Sequence, residues 1–139
     1  QQALLRLSLR ALNAPVREQM LERVKAIIRT QAESFGCSVS IEHRPAYPVL
    51  VNSPEETEFA RKIGVELVGA EAVNGNTPKL MGSEDFGWML QRCPGSYLFI
   101  GNGVAQPMVH NPGYDFNDDI LLTGAAYWGA LAESWLKPS

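Results

Sequence analysis

The sequence predicts an α/β protein, and three patterns along its 139 residues lead to that prediction. Apolar and polar side chains alternate over residues 3–9 and again over 37–43, with the two-residue period of strands that have one polar face. A helical pattern of three- and four-residue spacing fills the segment between them. Residues 96–100 form a short apolar run, and an apolar helical pattern follows over 119–136. Strand, helix and strand in this order are typical of a crossover or of half an α+β sandwich.

The long first helix has a clear start signal and a clear stop signal. Asn13 is a favoured N-cap residue, and Pro15 follows at a position that suits the first helical turn. Gly36 is placed to end the helix in the left-handed conformation. Its apolar stripe is expected to pack on the sheet and consists of Val16, Met20, Val24, Ile27, Ile28 and Phe35.

Two prolines, Pro45 and Pro48, interrupt the pattern and predict a domain boundary. We therefore predict one domain over residues 1–46 and a second over 47–139. The strand-like opening of the chain, without an initiator methionine, indicates a piece of something longer.

Each helix of the second domain also has a predicted beginning. Ser53 and Glu56 have capping-box spacing, with Pro54 at the first helical position. That helix is expected to end at Gly69. Ser83 is the predicted N-cap of a short helix over 84–91, and an aspartate at 118 or 119 caps the last one.

Composition places the chain among globular proteins and excludes several partners. A net charge of -3 without any Lys/Arg cluster argues against nucleic acid. No apolar run approaches the ~20 residues that cross a bilayer, and the first residues are no signal peptide. Cys37 and Cys93 lack CxxC spacing, so we interpret them as buried free thiols of a cytoplasmic protein rather than as a disulfide.

The densest group of polar residues lies between residues 81 and 116. His110 stands beside a Pro-Gly turn, and a neutral imidazole on such a loop is a common metal ligand. Asp115 or Asp118 could fix its tautomer. The alternative is a loop histidine bonded to backbone, and the residues alone leave both open.

Three other positions are weaker candidates, each with a structural alternative. Glu84 and Asp85 are adjacent acids at a helix start, where they could serve a site or simply cap the helix. Arg10 could bind a substrate carboxylate or form a surface ion pair. Because a metal site needs three or four ligands and only His110 is a good one, the site would be completed elsewhere.

Three motifs together resemble one family of enzymes. MGSEDF at 81–86, PGSYLFIG at 94–101 and HNPGYDFND at 110–118 are similar to the C-terminal part of the M20 metallopeptidases. The closest likeness is to their amidohydrolase branch, which includes hippurate hydrolases, N-acyl-amino-acid hydrolases and auxin-conjugate hydrolases. Residues 7–12 and 16–19 resemble a strand and helix of that family's lid domain, so the resemblance covers nearly the whole chain.

The resemblance implies a fold and an activity. Residues 1–46 would be the latter half of an α+β lid, or dimerisation, domain. Residues 47–139 would be the C-terminal part of a zinc-peptidase-like α/β catalytic domain. The intact enzyme would be a cytoplasmic homodimer that hydrolyses the amide bond of small N-acyl amino acids. It would use two divalent metal ions (Zn, Mn, Co or Ni) and would bind neither nucleic acid nor membrane.

The resemblance also assigns roles to five residues. His110 matches the last metal ligand, and Arg10 with the backbone of Gly82 matches the substrate-carboxylate site. Glu84 and Asp85 match an acidic pair that supports the site from beside it. The remaining ligands and the general-base glutamate would lie upstream of residue 1, so this chain supplies no catalytic residue.

Two alternatives remain at this point. The chain could be an inactive truncated fragment with only a structural or dimerisation role, or part of an M20 carboxypeptidase or deacylase. In either case we expect the 139-residue chain alone to be inactive.

Overall fold

The computed structural model describes residues 2–137, and its regular structure is helical. Two short 3₁₀ turns, Ala70–Ala72 and Asp118–Ile120, follow the second helix and precede the last one. No helix in the described part of the chain is long and apolar enough to cross a membrane. The four α-helices are α1 (Ala14–Ser34), α2 (Pro54–Val68), α3 (Phe86–Leu90) and α4 (Leu121–Leu136).

The predicted α/β class is wrong, for both the zinc-peptidase-like domain and the α+β lid. No stretch within residues 2–137 forms a β-strand, including the predicted strands at 3–9, 37–43 and 96–100. Alternating side chains specify only which residues could share a face. A strand exists only where a second strand pairs with its backbone N–H and C=O groups. The described residues offer these segments no such partner.

The chain divides into two compact units. Unit 1 comprises the residues through Val51 together with Pro78–Cys93, and unit 2 comprises Asn52–Thr77 and the residues from Pro94 onward. The domain ranges 1–46 and 47–139 stay predictions. Their outer ends, residue 1 and residues 138–139, lie outside the described residues.

Helix α1 dominates unit 1 and has the predicted caps. The Asn13 side chain accepts a hydrogen bond from the Val16 N–H at 3.3 Å. Gly36 has φ 64°, and its N–H donates to the Glu33 carbonyl at 2.9 Å. The Cys37 N–H donates one residue further back, at 2.8 Å, which completes a Schellman motif. Both cap predictions are confirmed.

The apolar stripe of α1 is not buried as predicted. No side chain of this helix is buried, and Phe35 just beyond it is 79% exposed. One hydrogen bond, from Arg17 Nη1 to the Tyr47 carbonyl at 2.6 Å, ties α1 to the segment before residue 51. Cys37 and Cys93 are free thiols as predicted, but both are exposed, so their predicted burial is wrong.

Unit 2 has a small core between α2 and α4. Ala60 and Ile63 of α2 are buried, with exposures of 4% and 5%. The Tyr127 hydroxyl of α4 donates to the Ala60 carbonyl at 3.1 Å. Phe59 and Trp135 meet edge to face, with ring centroids 5.3 Å apart. These contacts hold the two helices against each other.

The start of α2 differs from the predicted capping box. Pro54 is its first residue as expected, but the Ser53 hydroxyl makes no capping bond. It accepts instead from the Gly95 N–H at 3.1 Å, while the Ser53 N–H donates to the Gly95 carbonyl at 2.9 Å. Helix α2 ends at Gly69, as predicted.

The starts of the two later helices also differ from prediction. Helix α3 begins at Phe86, with Asp85 rather than Ser83 before it. Asn117, rather than an aspartate, caps the 3₁₀ turn that leads into α4, since its side chain accepts from the Asp119 N–H at 3.1 Å.

Candidate functional site

His110 lies in unit 2, on an exposed loop whose backbone is strained at this residue. Its φ is 69°, and no other non-glycine residue within 2–137 has a positive φ. The Asn111 N–H donates to the Met108 carbonyl at 3.2 Å, so His110 occupies the third position of a turn. Positive φ at that position is type II geometry, which favours glycine or asparagine. A histidine there costs about 1 kcal/mol or more.

A second turn follows at once on the other side of His110. The Tyr114 N–H donates to the Asn111 carbonyl at 2.9 Å, and the Asn111 side chain accepts from the Gly113 N–H at 2.8 Å. The sequence predicted a Pro-Gly turn beside the histidine, and that prediction is confirmed. Two consecutive turns therefore fix the local backbone around the imidazole.

Asn102 holds the end of this loop. Its Nδ2 donates to the Asp115 carbonyl at 2.8 Å, and its Oδ1 accepts from the Asn117 N–H at 2.8 Å. Asn102 was not among the predicted site residues. An asparagine between two glycines, directly after an apolar run, is the signal that could have found it.

The imidazole itself is open to solvent. Within residues 2–137 no hydrogen bond joins His110 to Asp115 or Asp118. Beside α4 lies an open, mostly apolar groove of ≈ 430 Å³, lined by Ile100, Asn102, Tyr114, Phe116, Ile120, Leu121, Gly124, Ala125 and Trp128.

The other four predicted site residues lie in unit 1. Arg10 is exposed, and a side chain added at Gly82 would meet nothing within 4 Å. Glu84 is half-buried, and Asp85 precedes α3 without a side-chain capping bond. Their carbonyls accept from N–H groups at the start of α3, at 3.3 Å and 2.8 Å.

The side chains of residues 2–137 do not form a complete metal centre. Among residues 2–137 no group of three His, Cys, Asp or Glu side chains could hold a metal ion. His110 can offer one imidazole nitrogen, which is one ligand of the three or four that a stable site needs.

The likeness to known proteins decides the family. The model of "Peptidase family M20/M25/M40" matches residues 8–134, which is most of the chain. The chain belongs to this family. The resemblance carried by the three sequence motifs is thereby confirmed, and the M20 family is generally metal-dependent.

Three relatives illustrate the range of named members. The M20 chain is 32% identical to the hippurate hydrolase of Campylobacter jejuni, over 97% of this chain and 35% of that protein. It is 34% identical to the IAA-amino acid hydrolase ILR1-like 2 of Arabidopsis thaliana, over 86% and 28%. It is 28% identical to the thermostable carboxypeptidase 2 of Saccharolobus solfataricus, over 90% and 32%.

The M20 chain thus spans about a third of the length of these relatives. No solved structure matches it.

Proposed function

We propose that these residues are the C-terminal part of a metal-dependent amidohydrolase, and that His110 is the last metal ligand of the whole enzyme. The observation that carries this proposal is the backbone of His110, with φ 69° between two hydrogen-bonded turns. Strained non-glycine residues persist where the surroundings over-determine them, and they cluster at functional sites. Membership of a metal-dependent family supports the same role.

The substrate class is N-acyl amino acids of the hippurate type. Two relatives are named for hippurate and for IAA-amino acids, which both join an acyl group to an amino acid through an amide. A carboxypeptidase substrate shares that amide and its neighbouring carboxylate, so the carboxypeptidase alternative differs in the acyl part alone. In this proposal Arg10 and the Gly82 backbone hold the carboxylate, because a guanidinium binds it through two hydrogen bonds.

The remaining roles follow from the same proposal. Glu84 and Asp85 support the carboxylate site from the start of α3. Residues 1–46 belong to a lid domain that dimerises, and residues 47–139 belong to the catalytic domain. The exposed Leu4 and Leu5 at 79% and 80% support an interface in the first range. A cytoplasmic location is part of the proposal.

The other metal ligands and the general base come from outside these residues. For the ligands, the missing cluster among residues 2–137 supports this part of the proposal. The same observation favours a second candidate function, in which the chain acts only as a structural or dimerisation segment and catalyses nothing.

The test uses a whole polypeptide that contains these residues. We expect His110→Ala to lower hippurate hydrolysis more than about 100-fold and to reduce the bound metal, since one ligand is lost. His43→Ala is the matched control, because His43 is the other histidine of the chain and lies in unit 1. Full activity and full metal content in the His110 variant would reject the proposal.

A further inference from the structure

We propose that Asn102 is a positioning residue for His110, because its side-chain amide closes the base of the histidine loop, residues 103–114. Nδ2 donates to the Asp115 carbonyl and Oδ1 accepts from the Asn117 N–H, both at 2.8 Å. A primary amide offers one donor side and one acceptor side, so a single side chain can pair with two backbone groups at once. Asn102 thereby bonds Asp115 and Asn117, which lie 13 and 15 positions further along the chain.

The two turns around His110 cannot fix the position of the loop by themselves. They fix the torsion angles between Met108 and Tyr114, but both bonds lie within the loop. Local turns set the shape of a loop without setting where it lies on the body of the unit. Asn102 stands before the loop and its partners after it, so its two bonds close the loop at its base.

The base of the loop is connected in turn to α4. Asn117 receives the bond from Asn102 through its N–H, and its own side chain accepts from the Asp119 N–H at 3.1 Å. The 3₁₀ turn at Asp118–Ile120 runs directly into α4. The hydrogen bonds of Asn102 and Asn117 therefore fix the position of His110 relative to α4, the longest helix of unit 2.

The consequence for catalysis rests on the proposed function of His110. A ligand must be held within about half an ångström of its productive position, so a loosened loop weakens a site without removing any ligand. Asn102 touches neither substrate nor metal in this account and acts only through His110.

The experiment compares Asn102→Ala with Asn52→Ala in the 139-residue chain. Asn52 makes the same kind of paired hydrogen bonds, with the carbonyl and the N–H of Tyr97, both at 2.9 Å. It lies in the same unit but outside the histidine loop. Amide hydrogen exchange over residues 103–117 and the NMR signals of the His110 imidazole are measured, with His43→Gln present to leave one histidine.

We expect Asn102→Ala to raise amide exchange in the loop about tenfold and to shift the imidazole signals. Asn52→Ala should lower thermal stability but leave both loop readouts unchanged. Asn102→Asp keeps the acceptor for the Asn117 N–H and loses the donor, so its effect should be intermediate. This variant also serves if the alanine variant does not fold.

Two results would overturn the proposal: unchanged loop readouts in both Asn102 variants, or equal changes in the Asn52 variant. Failure of the proposed function gives a different result. In that case His110→Ala leaves hydrolysis by the whole polypeptide intact, while the effect of Asn102 on the loop persists.

Discussion

Hydrogen bonds hold the loop of His110, in unit 2, more firmly than they hold the four candidate residues of unit 1. The histidine lies between two turns, on a loop that Asn102 closes with two bonds of 2.8 Å. Arg10 is exposed on an irregular segment, and Gly82 has open space on its side-chain side. A residue on a loop that non-local hydrogen bonds hold in place already has the defined position that a binding site requires. Residues without such bonds need a further partner to fix them.

The packing of the two units differs in the same sense. Unit 2 buries Ala60 and Ile63 where α2 meets α4. Unit 1 contains the longest helix, yet α1 buries no side chain. Its caps and single tertiary hydrogen bonds contribute about 1 kcal/mol each.

The largest expected effect is on the core of unit 2. Ile63→Ala should lower the free energy of unfolding by about 2–4 kcal/mol, because it removes buried methyl groups and leaves a cavity. Urea unfolding followed by circular dichroism measures the change. Ile27→Ala on α1 is the control, and since Ile27 is 61% exposed we expect a change within about 0.5 kcal/mol. Equal losses would remove the contrast between the units.

Unit 1 contains a tight contact at Gly87 in α3. A methyl group there would lie 3.1 Å from Pro48 Cγ and 3.2 Å from the Pro48 carbonyl oxygen, which cannot easily move. Gly87→Ala should therefore cost about 1–2 kcal/mol in a thermal melt. Gly129→Ala on α4 meets nothing within 4 Å and should stabilise by up to about 1 kcal/mol. A stabilising Gly87 variant would show that this contact is loose.

Relief of backbone strain at His110 should have a smaller effect on the free energy of unfolding, and it should not lower it. His110→Gly should leave the free energy of unfolding unchanged or raise it by up to about 1 kcal/mol, because glycine tolerates φ 69°. Val109→Gly, at a residue without positive φ, should lower it by about 0.5–1 kcal/mol. Comparable losses in both variants would mean that the histidine carries no strain.

A further effect of similar size concerns the hydrogen bond between α2 and α4. Tyr127→Phe should cost about 0.5–1.5 kcal/mol, because the hydroxyl no longer donates to the Ala60 carbonyl. Tyr47→Phe is the control in unit 1, since Tyr47 accepts from Arg17 through its carbonyl, which phenylalanine keeps. Chemical unfolding at pH 7 measures both.

Tyr127 also predicts a pH dependence. Burial raises the pKa of its phenol above the ordinary value. The unfolded chain therefore ionises first as pH rises, so this contribution is complete below about pH 10 and is lost above it. Tyr127 is half-buried rather than fully enclosed, so the effect is small. An alkaline loss of stability that persists unchanged in Tyr127→Phe would assign it to another group.

Local signals predicted the helices, but they also predicted strands that do not form within residues 2–137, and they predicted little of the packing. Asn13 and Gly36 were correctly assigned as the caps of α1 because a cap acts within a few residues. Ser53 was wrongly assigned, since its hydroxyl bonds Gly95, 42 residues away. Strand pairing and the role of Asn102 are equally non-local, and no spacing rule within one segment reveals them.

The central claim is that this chain contributes one metal ligand and no complete site. The most direct test is hippurate hydrolysis by the 139-residue chain with Zn²⁺ or Mn²⁺ added, before and after treatment with a chelator. We predict no hydrolysis above the uncatalysed rate, because His110 has no ligand partners among the described residues. Hydrolysis that the chelator abolishes would contradict the claim, since it would require a working metal centre within these residues.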